Sequence, residues 1–128
     1  MNPRTAALAT ACLALAACAT SGSGGAKPLS PYVTHAGEAT KEFAFTSLYN
    51  WSRIDDDRVV VWARPDRAYL LTLRNTCFEL NFADTIAVDG FGSRVRAGSD
   101  SVIANGMRCR IDTIQPVDLA AMREARKG

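Results

Sequence analysis

A chain of 128 residues has room for one small domain. Hydrophobic residues make up 48% of it, which is enough for a globular core and excludes wholesale disorder. The formal net charge is only +2. Nucleic-acid binding needs a concentrated basic surface, so neither DNA nor RNA is an expected partner.

The N-terminus, residues 1–17, has the pattern of a signal peptide for export. A short start with one positive charge, Arg4, is followed by a compact run rich in Ala and Leu over residues 5–15. This run is too short to span a bilayer, which needs roughly 20 apolar residues. Small residues then lead directly into a cysteine, in the sequence Leu-Ala-Ala-Cys18. An ordinary secretory signal cleaved near Ala17 is the alternative interpretation.

The sequence Leu-Ala-Ala-Cys18 resembles a bacterial lipobox. This resemblance implies cleavage just before Cys18 and a thioether-linked lipid on its sulfur, with palmitate among the acyl chains. Residue 19 is alanine, whereas proteobacterial lipoproteins retained in the inner membrane commonly carry aspartate there. The resemblance therefore implies a lipoprotein of the outer membrane that faces the periplasm.

Residues 18–37 are predicted to be the lipidated cysteine and a flexible linker. Small residues, glycines and two prolines give this segment no hydrophobic period. The single histidine of the chain, His35, lies here and is interpreted as an ordinary polar residue rather than a ligand. The folded domain is then predicted to cover residues 38–128.

Cys77 and Cys109 are the only cysteines in the predicted domain. The periplasm is oxidising, and two cysteines there normally pair. We therefore expect a disulfide that staples a domain too small to bury a large core. Two free buried thiols are the alternative. A zinc site is disfavoured, since two thiols without a nearby histidine leave the metal shell incomplete.

Two hairpins are the clearest structural signals. Residues 58–64 are β-branched and aromatic, Pro65-Asp66 predicts a turn, and residues 67–74 predict the returning strand. Asn105-Gly106 predicts a second hairpin, because both central residues of such a turn need positive φ. Further elements are predicted as short strands over residues 42–45, 85–88 and 93–96, and as a helix over residues 117–127. Together they predict a mainly β fold, a small antiparallel barrel or curved sheet of five to six short strands with a C-terminal helix.

Three segments are less regular. Leu48, Trp51 and Ile54 recur every three residues and predict a helical turn. Residues 75–86 fit either a strand or a helical turn. The helical turn, capped by Asn75 or Thr76, is favoured because it directs the neighbouring cysteine inward. Pro116 is expected to end the last strand.

The core positions and the cysteine pair resemble a family of small proteobacterial lipoproteins that is catalogued only as a domain of unknown function. The matching pattern is Trp51-x-x-Ile54, Tyr69-Leu-Leu-x-Leu73, Cys77-x-x-Leu80-x-x-Ala83-x-x-Ile86, Asp100-Ser-Val102 and Cys109-x-Ile111-x-x-Ile114. The resemblance covers about residues 42–116. It implies no activity, substrate or cofactor.

Most catalytic patterns are missing, and no catalytic residue, metal site or cofactor is assigned. With the histidine in the linker, no Ser-His-Asp or Cys-His arrangement is available. Asp55-Asp56-Asp57 lacks the spacing of an EF-hand and is interpreted as a solvated turn. Asp100 with Asp89 or Asp112 is the one candidate acid/base pair. It would support the alternative of a small carboxylate-dependent enzyme in the periplasm.

Arginines give one further candidate site. Arg94 and Arg96 share a strand face, and so do Arg108 and Arg110. If those strands are neighbours, four guanidinium groups would form an anion-binding surface. Otherwise they are the solvent-exposed sides of half-buried strands. The leading hypothesis is a lipid-anchored binding or envelope-support module of unknown biochemical role, whose partner is an envelope protein or an anionic envelope component.

Overall fold

Eight strands and two helices are distributed along residues 29–127, the part of the chain that the computed structural model describes. The predicted signal peptide and Cys18 lie outside this range. In chain order the elements are α1 (Pro31–Thr34), β1 (Glu42–Ala44), β2 (Asn50–Asp55), β3 (Arg58–Arg64), β4 (Arg67–Leu73), a 3-10 turn (Phe78–Asn81), β5 (Ile86–Asp89), β6 (Arg94–Arg96), β7 (Ser101–Ala104), β8 (Met107–Val117) and α2 (Leu119–Lys127).

Six of the strands form one antiparallel sheet in the order β2-β3-β4-β8-β7-β5, curled into a half-barrel. The remaining two, β1 and β6, pair with each other as a small second sheet. The prediction of a mainly β fold with a curved antiparallel sheet and a C-terminal helix is therefore confirmed.

The long strand β8 organises the sheet. Its first residues pair with β7 and its later residues pair with β4. Along its later residues, the edge of β8 that does not pair with β4 forms hydrogen bonds with residues 37–40, which precede β1. There the amide of Gly37 donates to Pro116 at 2.8 Å, and that of Thr40 donates to Ile114 at 2.8 Å. The strand thus continues through Pro116 to Val117, and the prediction that the proline ends it is wrong.

Both faces of the sheet are covered, which explains the unbroken apolar run of β3. Val59 and Val61 enter the larger core, between the half-barrel, the β1–β6 sheet and the 3-10 turn. Val60 and Trp62 face the other side, where α2 packs through Met122. Successive strand residues point to opposite faces, so each face needs its own apolar residues.

The segment from Ser30 to Gly37 also packs on this second face. The ring of Tyr32 meets that of Trp62 edge-on, with centroids 5.5 Å apart. The carbonyl of His35 accepts the amide of Asp118 at 2.9 Å, directly before α2. These residues fall within the predicted flexible linker. In the structure they form part of the domain, because their apolar side chains cover the outer face of the sheet.

The segment predicted as a helical turn around Trp51 is strand β2 instead, so that prediction is wrong. Trp51 packs against the larger core and Ile54 against the smaller one. A spacing of three residues places side chains on opposite faces of a strand. That spacing imitates a helix when both faces are covered.

Cys77 and Cys109 form a disulfide with a Cα–Cα distance of 5.9 Å. Both cysteines are buried. The helical alternative for residues 75–86 is confirmed, since a 3-10 turn follows Cys77 and buries Leu80. The predicted cap is wrong, because Cys77 itself precedes the turn and no side chain caps it. The exposed faces of the turn carry Phe78 and Phe82, whose rings lie 5.3 Å apart.

Candidate functional site

A pocket of about 290 Å³ opens where the end of β1 meets the β3–β4 hairpin. It is lined by Ala44, Phe45, Thr46, Ala63, Arg64, Arg67 and Tyr69. Two alanines, two arginines, two aromatic residues and one threonine make up this lining. The lining is therefore part apolar and part cationic, with one threonine hydroxyl.

An aromatic group forms the inner wall of this pocket. The ring of Tyr69 stacks on that of Phe43, with centroids 4.2 Å apart and planes 21° apart. Phe43 also meets Phe45 edge-on at 5.9 Å. Because Phe43 is buried in the larger core, it anchors the two pocket-lining rings to rigid structure.

Two arginines stand at the rim of the pocket. Arg64 and Arg67 are cross-strand partners at the ends of β3 and β4, on either side of the Pro65-Asp66 turn. Both side chains belong to exposed residues. Like charges directly opposite each other on neighbouring strands are destabilising. This pair is not among the site residues predicted from the sequence, although the equal charges that flank the predicted hairpin turn were a signal that could have identified it.

The pair differs from the other arginines on strands of residues 29–127. Five of those contact a carboxylate, namely Arg53, Arg58, Arg94, Arg96 and Arg108. A sixth, Arg110, donates to the carbonyl of Gly98 at 3.2 Å. No carboxylate of the described residues makes an ion pair with Arg64 or Arg67, and Asp66 between them is no exception.

A second pocket, of about 270 Å³, lies on the other side of Phe45 and Thr46. Its remaining lining residues are Val88, Gly90, Ser93 and Arg94. Gly90 is required there, because a Cβ atom would overlap the carbonyl oxygen of Arg94 and lie 2.9 Å from Val95 Cγ2. The close approach of the chain at Gly90 thus shapes this pocket.

A family model matches the whole chain, residues 1–128, and it describes a family of unknown function, DUF6491. The chain belongs to the DUF6491 family. The match extends beyond the residues 42–116 over which the sequence resembles such a family. The chain matches no curated protein and no solved structure.

The structure of this DUF6491 protein places the four arginines of the predicted anion-binding surface on two strands that do not pair with each other. Arg94 and Arg96 lie on β6, which pairs with β1. Arg108 and Arg110 lie on β8, which pairs with β4 and β7. The strands are not neighbours, so the condition for a common surface is not met.

Three of these four arginines also face carboxylates. Glu42 contacts both Arg94, at 3.0 Å, and Arg96, at 3.2 Å. Arg108 contacts Asp89. The alternative interpretation, exposed sides of half-buried strands, describes these contacts better.

The carboxylates of the candidate acid/base pair hold separate partners in the DUF6491 fold. Asp100 accepts the amide of Arg96 at 2.7 Å and so shapes the loop between β6 and β7. Asp89 contacts an arginine of β8. Asp112 lies 3.6 Å from Arg74. None of the three lines either pocket.

The three consecutive aspartates form the turn between β2 and β3, as the sequence analysis expects. Burial raises the pKa of Asp55, but hydrogen bonds from Arg58 outweigh this effect and lower the pKa to about 2. The hydrogen bond with Asp55, together with burial, raises the pKa of Asp57. The bond with Asp55 also raises the pKa of Arg58. These shifts reflect a local ion pair that holds the turn.

Within residues 29–127, no three side chains of His, Cys, Asp or Glu come together in a group that could hold a metal ion. Over the same residues, no helix has the length and apolar character needed to cross a membrane.

Proposed function

We propose that this DUF6491 protein is a lipid-anchored domain of the cell envelope that faces the periplasm, most simply from the outer membrane, and binds a partner there. The observation that carries the proposal is the buried disulfide between Cys77 and Cys109. Disulfides of this kind form and persist in oxidising compartments. The Leu-Ala-Ala-Cys18 sequence supplies a route to such a compartment and an attachment point for lipid.

The packing of residues 30–37 on the domain supports a position close to the membrane. The predicted linker is then confined to residues 19–29, nearly all of which lie outside the described residues, and a flexible chain of that length would span roughly 18 Å. A domain held at this distance reaches the lipid headgroups and small molecules at the membrane surface. It would not reach far across the periplasm.

The chemistry of the pockets favours binding over catalysis. Their polar lining is made of arginine, serine and threonine, with one tyrosine. The alternative is a small carboxylate-dependent enzyme built on Asp100. That alternative has less support, because Asp100, Asp89 and Asp112 are engaged with separate partners.

The lipid anchor is tested by intact mass spectrometry of the native protein extracted from membranes with detergent. We expect residues 1–17 to be absent and the mass to include a lipid on Cys18. Without reductant, neither Cys77 nor Cys109 should react with a thiol reagent. A Cys18→Ser variant should keep its N-terminus and carry no lipid. Native protein with an intact Met1 and two reactive thiols in the domain would overturn the proposal.

Partner binding is tested by crosslinking in intact cells followed by mass spectrometry. The expected result is one or a few reproducible crosslinked partners from the envelope. A spread of crosslinks that follows only the abundance of envelope proteins would argue against a specific binding role.

A further inference from the structure

We propose that the pocket beside Arg64 and Arg67 binds a small molecule through an oxyanion, a phosphate or a carboxylate, with an apolar or planar part next to it. This inference rests on the proposed function as a binding module, and it names the site and the class of ligand. The site is distinct from the arginine surface that the sequence predicts.

The charge arrangement is the first argument. Arg64 and Arg67 face each other across the end of a hairpin, and no described carboxylate pairs with either. Two exposed cations without a carboxylate partner repel each other in this register in the empty protein, although solvent and salt weaken the repulsion. An oxyanion between them would turn that repulsion into two charge-assisted hydrogen-bonded contacts. The other strand arginines already have such contacts within the protein.

The shape of the pocket is the second argument. The planar guanidinium group of arginine recognises phosphate and carboxylate through paired N–H groups. Thr46 adds a hydroxyl to the lining, and Tyr69, which stacks on Phe43, adds a flat aromatic surface. A volume of about 290 Å³ is at the lower end of the range for small-molecule sites, roughly 300–1,000 Å³. This volume suits a small molecule.

The experiment titrates the mature, detergent-solubilised protein with phenyl phosphate and with benzoate at constant ionic strength, using isothermal titration calorimetry. Inorganic phosphate tests whether the oxyanion suffices without the ring. We expect at least one aromatic probe to bind more tightly than inorganic phosphate. The double variant Arg64→Gln/Arg67→Gln should weaken that binding by roughly ten-fold or more, because the charged partners of the oxyanion are lost.

A matched control distinguishes binding at this pocket from a general effect of lost positive charge. The variant Arg123→Gln/Arg126→Gln removes the same two charges from exposed positions on α2 and should bind the probes as the unchanged protein does. Equal losses in both double variants, or no binding of either aromatic probe to the unchanged protein, would overturn the inference.

Thermal unfolding provides a readout that does not depend on calorimetry. Without ligand and at low salt, Arg64→Gln/Arg67→Gln should unfold at the same temperature as the unchanged protein or slightly higher, because a repulsion is removed. Unfolding at a lower temperature would contradict the repulsion. If the probes fail while cellular crosslinking still recovers a defined partner from the double variant, this inference is wrong and the proposed function stands.

Discussion

The amide of Cys77 donates a hydrogen bond to the carbonyl oxygen of Asp56 at 2.7 Å. The amide of Leu73 bonds to the carbonyl of Asp57 at the same distance. The aspartate turn between β2 and β3 therefore holds the chain as it leaves β4 and enters the disulfide. The side chain of Asp55 stabilises this turn, because its carboxylate accepts a hydrogen bond from the amide of Asp57 at 3.2 Å. A surface turn and a buried covalent bond thus form one structural unit.

Replacement of Asp55 should destabilise the protein in a pH-dependent manner. The pKa of Asp55 is lowered from 3.8 to about 2 in the folded state, so its ion pair with Arg58 stabilises the fold above about pH 4 and is lost as the pH falls toward 2. The raised pKa of Asp57 acts in the opposite direction and offsets part of this effect. Asp55→Asn should cost about 1 kcal/mol at pH 7, since the side chain is 39% exposed and solvent screens the pair.

Urea denaturation of both proteins at pH 7 and pH 2.5 checks this prediction. The difference between them should shrink at the lower pH. The matched control is Asp84→Asn, an exposed position without an ion pair among the described residues, which should change stability little at either pH. A difference for Asp55→Asn that is the same at both pH values would rule out the ion pair as its cause.

Loss of the disulfide should be among the costliest changes. The bond joins residues separated by 32 positions, and closing a loop of that length contributes roughly 3.5–4 kcal/mol in the chain-entropy model. Cys77→Ala/Cys109→Ala should therefore lower the free energy of unfolding by about that amount. Thermal unfolding with and without reductant gives an internal control. Reductant should lower the Tm of the unchanged protein and leave the Tm of the variant unaffected. If strong reductant, present near the Tm, does not lower the Tm of the unchanged protein, the prediction is contradicted.

Residues 30–37 should contribute to stability rather than act only as a linker. Tyr32→Ala removes the edge-on contact with Trp62 and should cost about 1–2 kcal/mol. It should also speed hydrogen exchange at Gly37 and Asp118, whose amides bond to Pro116 and His35.

The exposed Thr34 lies on the same short helix and supplies the control. Thr34→Ala removes only a hydrogen bond at the surface, from its hydroxyl to the carbonyl of Ser30, and should leave both readouts nearly unchanged. If Tyr32→Ala behaves like Thr34→Ala, the segment is a linker and its packing does not contribute to the fold.

Local signals in the sequence predict the hairpins well. The turn at Asn105-Gly106 has φ values of 50° and 81°, as a turn with two positive φ angles requires. The strands on either side of Pro65-Asp66 agree with the prediction to within one residue. In these places the chemistry of a few neighbouring residues fixes the backbone without help from distant parts of the chain.

Features that depend on tertiary packing are not readable in this way. Trp51 and Ile54 imitate a helix because α2 and α1 cover the second face of the sheet, which no local pattern reveals. Arg94 and Arg108 could be placed together only by assuming a strand order, and β6 pairs with β1 instead. The Arg64–Arg67 pocket needs Ala44, at the end of β1, and Phe45, which follows it, both distant in sequence from the hairpin. Its location therefore follows from the topology.

Gly90, which lines the second pocket, should tolerate replacement by alanine poorly. An added Cβ would overlap the backbone carbonyl of Arg94 and crowd the fully buried Val95, and backbone cannot move aside as a flexible side chain can. Gly90→Ala should cost about 1–3 kcal/mol and disturb the pairing of β6 with β1. The matched control is Gly37→Ala, where the nearest atoms, both of Pro116, lie at ordinary contact distances of 3.5 and 3.6 Å. That change should be neutral or stabilising by up to about 1 kcal/mol, because alanine restricts the unfolded chain. In urea denaturation, Gly90→Ala should thus lower the free energy of unfolding, whereas Gly37→Ala should leave it unchanged or raise it. Equal destabilisation by both variants would contradict the close approach at Gly90.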